Sequence, residues 1–265
     1  MTFSRSLALS ALMASTLTLS MQAAWADTQA KNQASNQAKN QADEQVIRKS
    51  LSQTMASLPI DTLTPTPVKG IYQITSQGQV AYVTADGNYL FAGNLLDLKN
   101  QVNLTEQVKN KERLAVLKTV PANHKVVYAA EGAKKATLTI LTDPTCPYCE
   151  KLHREIPALQ KAGIEVQTIL TPRAGAGSPG FVESSQIMCG KQQQADIDTA
   201  MARKPLKGAA CQDAMINDNM QLAEKLGMSG TPYIILPDGS AVPGYRPAAA
   251  LIAVVSGKAN PAQLQ

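Results

Sequence analysis

Ala136-Thr137-Leu138-Thr139-Ile140-Leu141 runs through Thr142-Asp143-Pro144-Thr145 into Cys146-Pro147-Tyr148-Cys149, and this stretch decides the fold. The first six residues read as a buried strand. A helical pattern begins at Pro147, a residue suited to the first helical turn because it lacks an N–H that would go unused there. A strand that feeds a helix opening on a cysteine is a device for making a reactive thiolate. The unpaired N–H groups and partial positive charge of the helix start both favour S⁻ over S–H. Cys149 lies one turn further on and can close a disulfide with Cys146. Two plainer readings compete. Zinc wants four ligands, and the remaining candidates, Cys189, Cys211, His124 and His153, contain no second closely spaced pair. A purely structural short-range disulfide is the other. The strand-then-helix context favours a redox-active dithiol and no metal.

Working outward, the chain from Lys125 has an α/β pattern. Strands are expected over 125–129, 136–142 and 164–170, with a helix at 147–162 between the last two. Pro172 to Gly180 is Gly-rich but lacks the Gly-Lys-Ser/Thr of a phosphate loop, and reads as a plain connection. Helical sequence with breaks follows over 181–216, and another helix over 217–227. A strand at 233–236, a Pro237-Asp238-Gly239 turn, a short strand at 241–242 and a helix over 247–256 close the chain. Upstream, Asn103-Leu104-Thr105-Glu106 looks like a capping box opening a helix to about Val120, which reads as a rigid linker. Before it lies a β-meander: 71–75, a turn at Gln77-Gly78, 80–84, a turn at Asp86-Gly87-Asn88, and 89–92. Asp43 can cap a helix over 44–58 whose apolar face is Val46, Ile47, Leu51, Met55 and Leu58, with Pro59, Pro65 and Pro67 as breaks. One helix and three or four strands make a small core to stand alone. An available edge strand would let the module pair with a copy of itself.

The N-terminus reads as a targeting segment. Arg5 precedes an apolar run from Ser6 to Met21, and Ala24-Trp25-Ala26 is an A-x-A cleavage site, so the mature chain is expected to start at Asp27. The run is too short and too rich in Ser and Thr for a stable membrane span, and no later stretch is long enough. Export of this kind delivers a protein to an oxidising compartment, where disulfides persist. From 27 to 42 the composition collapses to Gln, Asn, Ala and Lys with a period of four, read as a disordered or loosely helical tether. The 265 residues carry 44% hydrophobic side chains and a net charge of +5. The charges are scattered with little aromatic interleaving, which reads as a solvated surface and gives no footprint for nucleic acid. The expected divisions are 1–26 signal peptide, 27–42 tether, 43–102 N-terminal domain, 103–121 linker helix, and 122–265 catalytic domain with a helical insertion at about 178–227.

Several local signatures coincide: Thr142-Asp143-Pro144-Thr145 before the Cys-Pro-Tyr-Cys, Lys151-Leu152-His153 after it, Thr171-Pro172-Arg173-Ala174-Gly175, Gly227-Met228-Ser229-Gly230-Thr231-Pro232, and Val242-Pro243-Gly244-Tyr245. Together these resemble the bacterial periplasmic disulfide isomerases of the DsbC/DsbG type, from about Asp43 to the last helix. The resemblance implies a thioredoxin-like α/β catalytic domain with a helical insertion, joined by a linker helix to a small α+β N-terminal dimerisation domain. It implies a V-shaped homodimer with an apolar cleft. Cys146 matches the exposed nucleophile and Cys149 the resolving thiol. Thr231 matches the residue before a cis-proline, Pro232, whose backbone would pair with a bound client strand, and Pro147 and Tyr148 complete the expected client-binding residues. Cys189 and Cys211 match a structural disulfide of the DsbC branch; closing that loop is worth roughly 3 kcal/mol in the chain-entropy model.

The same resemblance implies misoxidised or unfolded secreted proteins as clients, a membrane-embedded thiol reductase of the DsbD type as electron donor, and no cofactor. There are departures. Pro147-Tyr148 is the DsbG choice, whereas the Gly before Thr231 and the Cys189/Cys211 pair look like DsbC. Glu150 replaces a basic residue and should modestly disfavour the Cys146 thiolate. His153 could be a distant base but reads as a partly exposed packing side chain. Reduction of sulfenylated cysteines with holdase activity, or net thiol oxidation, are the competing activities.

Overall fold

The computed structural model describes residues 12–264, with side chains from 29 through 261 and at Leu264. The leader expected over 1–26 begins outside the described residues. The described chain divides into two compact units. One comprises the residues up to Ser76 and Ala81–Ala92; the other runs from Gly93 onward and includes the hairpin tip Gln77–Val80.

In the first unit, helix α1 (Leu12–Thr54) is followed by β1 (Thr62–Pro65), β2 (Ile71–Ser76), β3 (Gln79–Thr84) and β4 (Leu90–Ala92), in sheet order β1-β2-β3-β4. Gln77 and Gly78 both take positive φ, 49° and 78°, which is the backbone a two-residue hairpin turn needs. Ile47 and Leu51, one turn apart on α1, bury against Leu63, Tyr72, Ile74 and Val83. Val46 and Met55, expected on the same face, are exposed instead. The stretch read as a tether over 27–42 is part of α1, because Ala, Gln and Lys are good helix formers and the period of four stacks like residues on one face. Asp43 is accordingly inside the helix and does not cap it. Its carboxylate pairs with Lys39 one turn back and accepts from the Tyr72 hydroxyl (2.8 Å), which also donates to Asn40 (3.0 Å). The helix stops at Thr54, short of the expected Leu58 and ahead of Pro59, which cannot continue it. Pro65, read as a break, ends an edge strand, where a missing N–H is tolerated.

The second unit opens with a minimal hairpin, β5 (Leu96–Asp97) and β6 (Val102–Asn103), then α2 (Leu104–Thr119). A 3-10 turn (Ala122–His124) leads into β7 (Val126–Tyr128), β8 (Ala136–Thr142), α3 (Pro147–His153), α4 (Ile156–Lys161) and β9 (Ile164–Leu170). Three helices follow, α5 (Pro179–Cys189), α6 (Gln193–Met201) and α7 (Asp213–Lys225), then β10 (Tyr233–Ile235), β11 (Ala241–Pro243) and α8 (Ala248–Val255). The sheet order is β11-β10-β8-β9-β7, with β8 and β9 parallel and the other pairs antiparallel. Both faces are buried. Leu138 and Ile140 of β8 join a cluster with Leu152, Leu159, Ile187 and Leu251, while Leu141, on the alternate face, meets Leu226 and partly buried Val116 and Leu117.

Two boundaries and one contact differ from the sequence expectation. The helix expected over 147–162 is two helices, because Pro157 in the first turn of α4 cannot donate and its ring excludes the carbonyl four residues back. Pro205 and Gly208, at φ 104°, hold 202–212 out of helix, so α7 starts at Asp213 and not at 217. The helix read as a rigid linker is docked along its length. Arg113 is buried and donates to the carbonyls of Leu226 (3.3 Å) and Gly239 (3.3 Å), and Asn110 donates to Ser240 Oγ (3.0 Å). Only half of the expected capping box forms. Asn103 Oδ1 accepts from the Glu106 N–H (3.1 Å), while the Glu106 carboxylate turns to Lys109 and Arg113.

Candidate active site

Strand β8 carries the chain to Asp143, whose side chain ties the loop between strand and helix. Oδ1 accepts from the Thr145 N–H (2.8 Å) and hydroxyl (2.6 Å), the former a local turn of the kind Asp makes two residues ahead of itself. Oδ2 accepts from the N–H and Nε of Arg173, both at 3.0 Å. Burial pushes this carboxyl up, yet the Thr145 and Arg173 bonds outweigh burial and hold it below the usual carboxylate range. Gly180 is needed beside it: a Cβ there would lie 2.8 Å from Asp143 Oδ1. The Asp143 carbonyl accepts from the Cys146 N–H (3.0 Å), so the knot sets where the helix starts. Cys146 is the N-cap of α3, with Pro147 in its first turn.

Two free thiols face opposite fates. Burial pushes the Cys146 thiol up, but the Thr231 side chain, the Cys149 and Tyr148 N–H groups and the Cys149 side chain outweigh it, and the thiol sits below its ordinary value. Burial dominates at Cys149 and pushes it up to about 12, against the Asp143 N–H (3.5 Å) and the hydroxyls of Thr142 and Thr231. The Arg173 guanidinium is stabilised by both sulfurs, so it supplies positive potential to the pair. The Thr231–Pro232 bond is cis, and the Cys146 thiol donates to the Thr231 carbonyl (3.4 Å). The Thr231 hydroxyl is buried with no protein partner in hydrogen-bond geometry.

Cys146 was expected to be exposed and is not: it is 0% exposed, as covered as any core residue, while Tyr148 beside it is 64% exposed. The N-cap position turns the sulfur inward towards the Thr231 backbone. Glu150 is also corrected. Its carboxylate is held by Arg154 (2.6 Å) and Arg203 (3.3 Å), two cations that offset its charge, and Arg203 donates to the Thr145 carbonyl (3.1 Å). Cys189 and Cys211 are disulfide-bonded, linking the end of α5 to the coil before α7. The structure brings the Thr231 carbonyl, with Pro232 next in the chain, onto Cys146, and Pro147 and Tyr148 are exposed beside it. Sequence reasoning missed Asp143, Arg173 and Gly180 as site residues. The Gly-rich run read as a plain connection brings Arg173 and Gly180 onto Asp143, and the one local signal was an Asp two residues before a Thr in the loop.

A lowered thiol at a helix start, a raised thiol one turn on, and a cis-proline strand beside them define a thiol–disulfide oxidoreductase on a thioredoxin-like α/β fold. Residues 35–106 match the model of the disulfide bond isomerase protein N-terminal domain, and residues 122–257 that of the thioredoxin-like domain. The thiol:disulfide interchange protein DsbC of Escherichia coli K12 is 35% identical over 75% of this chain and 83% of its own length. That of Dickeya dadantii is 33% identical over 78% of this chain and 85% of its own. A solved disulfide interchange protein from Neisseria gonorrhoeae is 21% identical, covering 52% of this chain and 98% of that one, with a TM-score of 0.46. The chain belongs to the DsbC family of thiol:disulfide interchange proteins. Among the described residues, no helix is long and apolar enough to cross a membrane.

Proposed function

We propose that Cys146 is the nucleophile and Cys149 the resolving thiol of a periplasmic disulfide isomerase and reductase. The Cys146 thiolate attacks a wrong disulfide in a client; a Cys146–client disulfide forms and the second client sulfur leaves as thiolate. A client thiol then displaces Cys146 with a new pairing. If none arrives, Cys149 attacks Cys146, the client leaves reduced, and a membrane reductase of the DsbD type returns the dithiol. The observation that carries this reading is the split between the two thiols, Cys146 lowered and Cys149 raised. A lowered thiol is both ionised as attacker and a good leaving group. Because Cys146 is covered, a client sulfur reaches it only when its contact with Thr231 opens. The client strand then takes over the Thr231 backbone, with Pro147 and Tyr148 as the open flank.

Refolding of a scrambled multi-disulfide protein with catalytic amounts of this chain is the test. Rescue that depends on Cys146 is expected; no rescue would demote isomerisation. The Pro147-Tyr148 pair favours one second reading, reduction of sulfenylated single cysteines. Trapping the in-cell redox state separates both from net oxidation, since an isomerase or reductase stays mostly dithiol. Export and cleavage after Ala26 remove Trp25, the one tryptophan in the sequence. Secreted protein showing tryptophan emission would contradict the cleavage.

A further inference from the structure

Resolution makes a demand that the two sulfurs alone do not meet. Cys149 has to lose a proton before it can attack Cys146, and it is buried. Burial pushes its thiol well up, so the thiolate is scarce at neutral pH. A group that accepts the proton during the attack removes that limit.

The molecule offers one route. A small cavity of about 10 Å³ lies against Cys149, lined also by Ile140, Thr142, Leu152, His153, Ile156 and Thr168. That is about the room a single water needs. Apart from Cys149, His153 is the one titratable side chain on this lining. Cys149 and His153 are four residues apart on α3, which places them on the same face one turn apart. Thr168 is buried, and its hydroxyl has no protein partner, as expected of a group that bonds a water in the cavity. His153 in turn leads outward. Its Nε2 is 2.6 Å from Asp198 Oδ1, and the Asp198 side chain is 63% exposed. A carboxylate only accepts, so Nε2 carries a hydrogen, and in the neutral ring this tautomer leaves Nδ1 as the acceptor.

We infer that His153, oriented by Asp198, takes the Cys149 proton through a water held in the Thr142–Thr168 cavity, and so serves as the proton relay of the resolving step. The proton passes from Cys149 Sγ to the water and from the water to Nδ1. The Cys149–Cys146 bond forms, the Cys146–client bond breaks, and the client leaves as thiolate. His153⁺ then gives up its proton to solvent beside Asp198. The groups facing His153 are Asp198 on α6 and the ring of Tyr128 on β7, edge-on at 5.7 Å. Glu150, Lys151 and Arg154 are the charged groups on or next to its own helix, and Asp143, Arg173 and Cys146 are those around Cys149. The inference rests on Cys149 being the resolving thiol, and the experiment separates the two.

The full-length dithiol protein is mixed with excess aromatic disulfide (Ellman's reagent) and release of aromatic thiolate is followed by stopped flow. The first release reports Cys146 attack, rising with reagent concentration. The second reports attack by Cys149 and is independent of it. His153→Gln is expected to slow the second phase about tenfold or more at pH 7, with the gap closing as pH rises towards 10, and to leave the first phase unchanged. A second phase untouched by the substitution overturns the relay, as does one slowed equally at every pH, since that is a structural effect. If His153→Gln fails to fold, Asp198→Asn decides. A slower second phase confined to neutral pH supports the relay, and an unchanged one overturns it. Absence of any second phase in the unsubstituted protein removes Cys149 as resolving thiol and the relay with it.

Discussion

Thr231 keeps a buried hydroxyl with no hydrogen-bond partner in the resting dithiol, placed where it can donate to either sulfur once that sulfur is a thiolate. Thr231→Val keeps the shape and deletes the donor. A hydrogen bond to a charged group is worth about 1.5–3 kcal/mol, so the pH profile of Cys146 alkylation should move up by about one to two units. An unchanged pH profile of iodoacetamide reaction would remove Thr231 from the site. Arg173→Met takes the cation and one of four hydrogen bonds from the buried Asp143 carboxylate, at a cost of about 1–2 kcal/mol because the guanidinium is half exposed. The sign with pH follows from Asp143 being depressed in the folded state. Its contribution is present above the unfolded carboxyl value of about 4 and is lost as pH falls through the lower folded value. Urea denaturation should therefore show a wide gap between Arg173→Met and the parent at pH 7 that narrows below pH 4; a gap constant with pH would contradict the assignment. Cys149 runs the other way. Raised to about 12, it stabilises the folded dithiol fully below about 9 and loses that contribution as pH climbs towards 12. These residues also show what the sequence carried. Cys146, Cys149 and the strand before them were legible because spacing and period decide local structure. Asp143, Arg173 and Gly180 were not, because their roles depend on a loop 30 residues later folding back onto the first.

At the scale of elements, the same limit separates what was read from what was not. β8 and β9 have the bounds expected, since each is a seven-residue stretch rich in β-branched residues. α2 was legible as a helix from its cap and its apolar positions, but its docking was not, because Arg113 looks like any surface cation in sequence. Its partners are carbonyls at the end of α7 and in the β10–β11 turn. Gly239 lets that turn approach: it has φ +85°, and a Cβ there would lie 2.2 Å from the Asn110 carbonyl oxygen. Backbone cannot give way as a side-chain tip can, so Gly239→Ala has to move α2 or the turn. Hydrogen exchange should show the α2 amides losing protection while those of β8 keep theirs. Equal protection of α2 in the variant would mean that the helix is not held there.

For the whole molecule, the first unit poses the question of what covers its last strand. β4 is the sheet edge, all three of its residues are exposed, and Tyr89 before it is 70% exposed. An unpaired edge with Leu90 and Phe91 on it is a template for another strand, and proteins that stay monomeric blunt such edges with charge or proline. This one has neither. Phe91 also stacks on the buried Tyr82 ring at 5.4 Å, which makes it a poor probe because its loss would disturb the core. Leu90→Lys is the cleaner change, placing on the edge the residue that natural edges use to prevent pairing. If two copies pair through β4, the substituted protein should sediment as a monomer at micromolar concentration where the parent is a dimer. Its attack on an aromatic disulfide should be unaltered, since Cys146 and Thr231 lie in the second unit. Rescue of a scrambled client should fall, because a single dithiol can exchange but cannot hold an unfolded chain between two copies. A Leu90→Lys protein that remains dimeric would place the pairing surface elsewhere than this edge, and a parent chain that is itself monomeric would leave β4 exposed for some other strand.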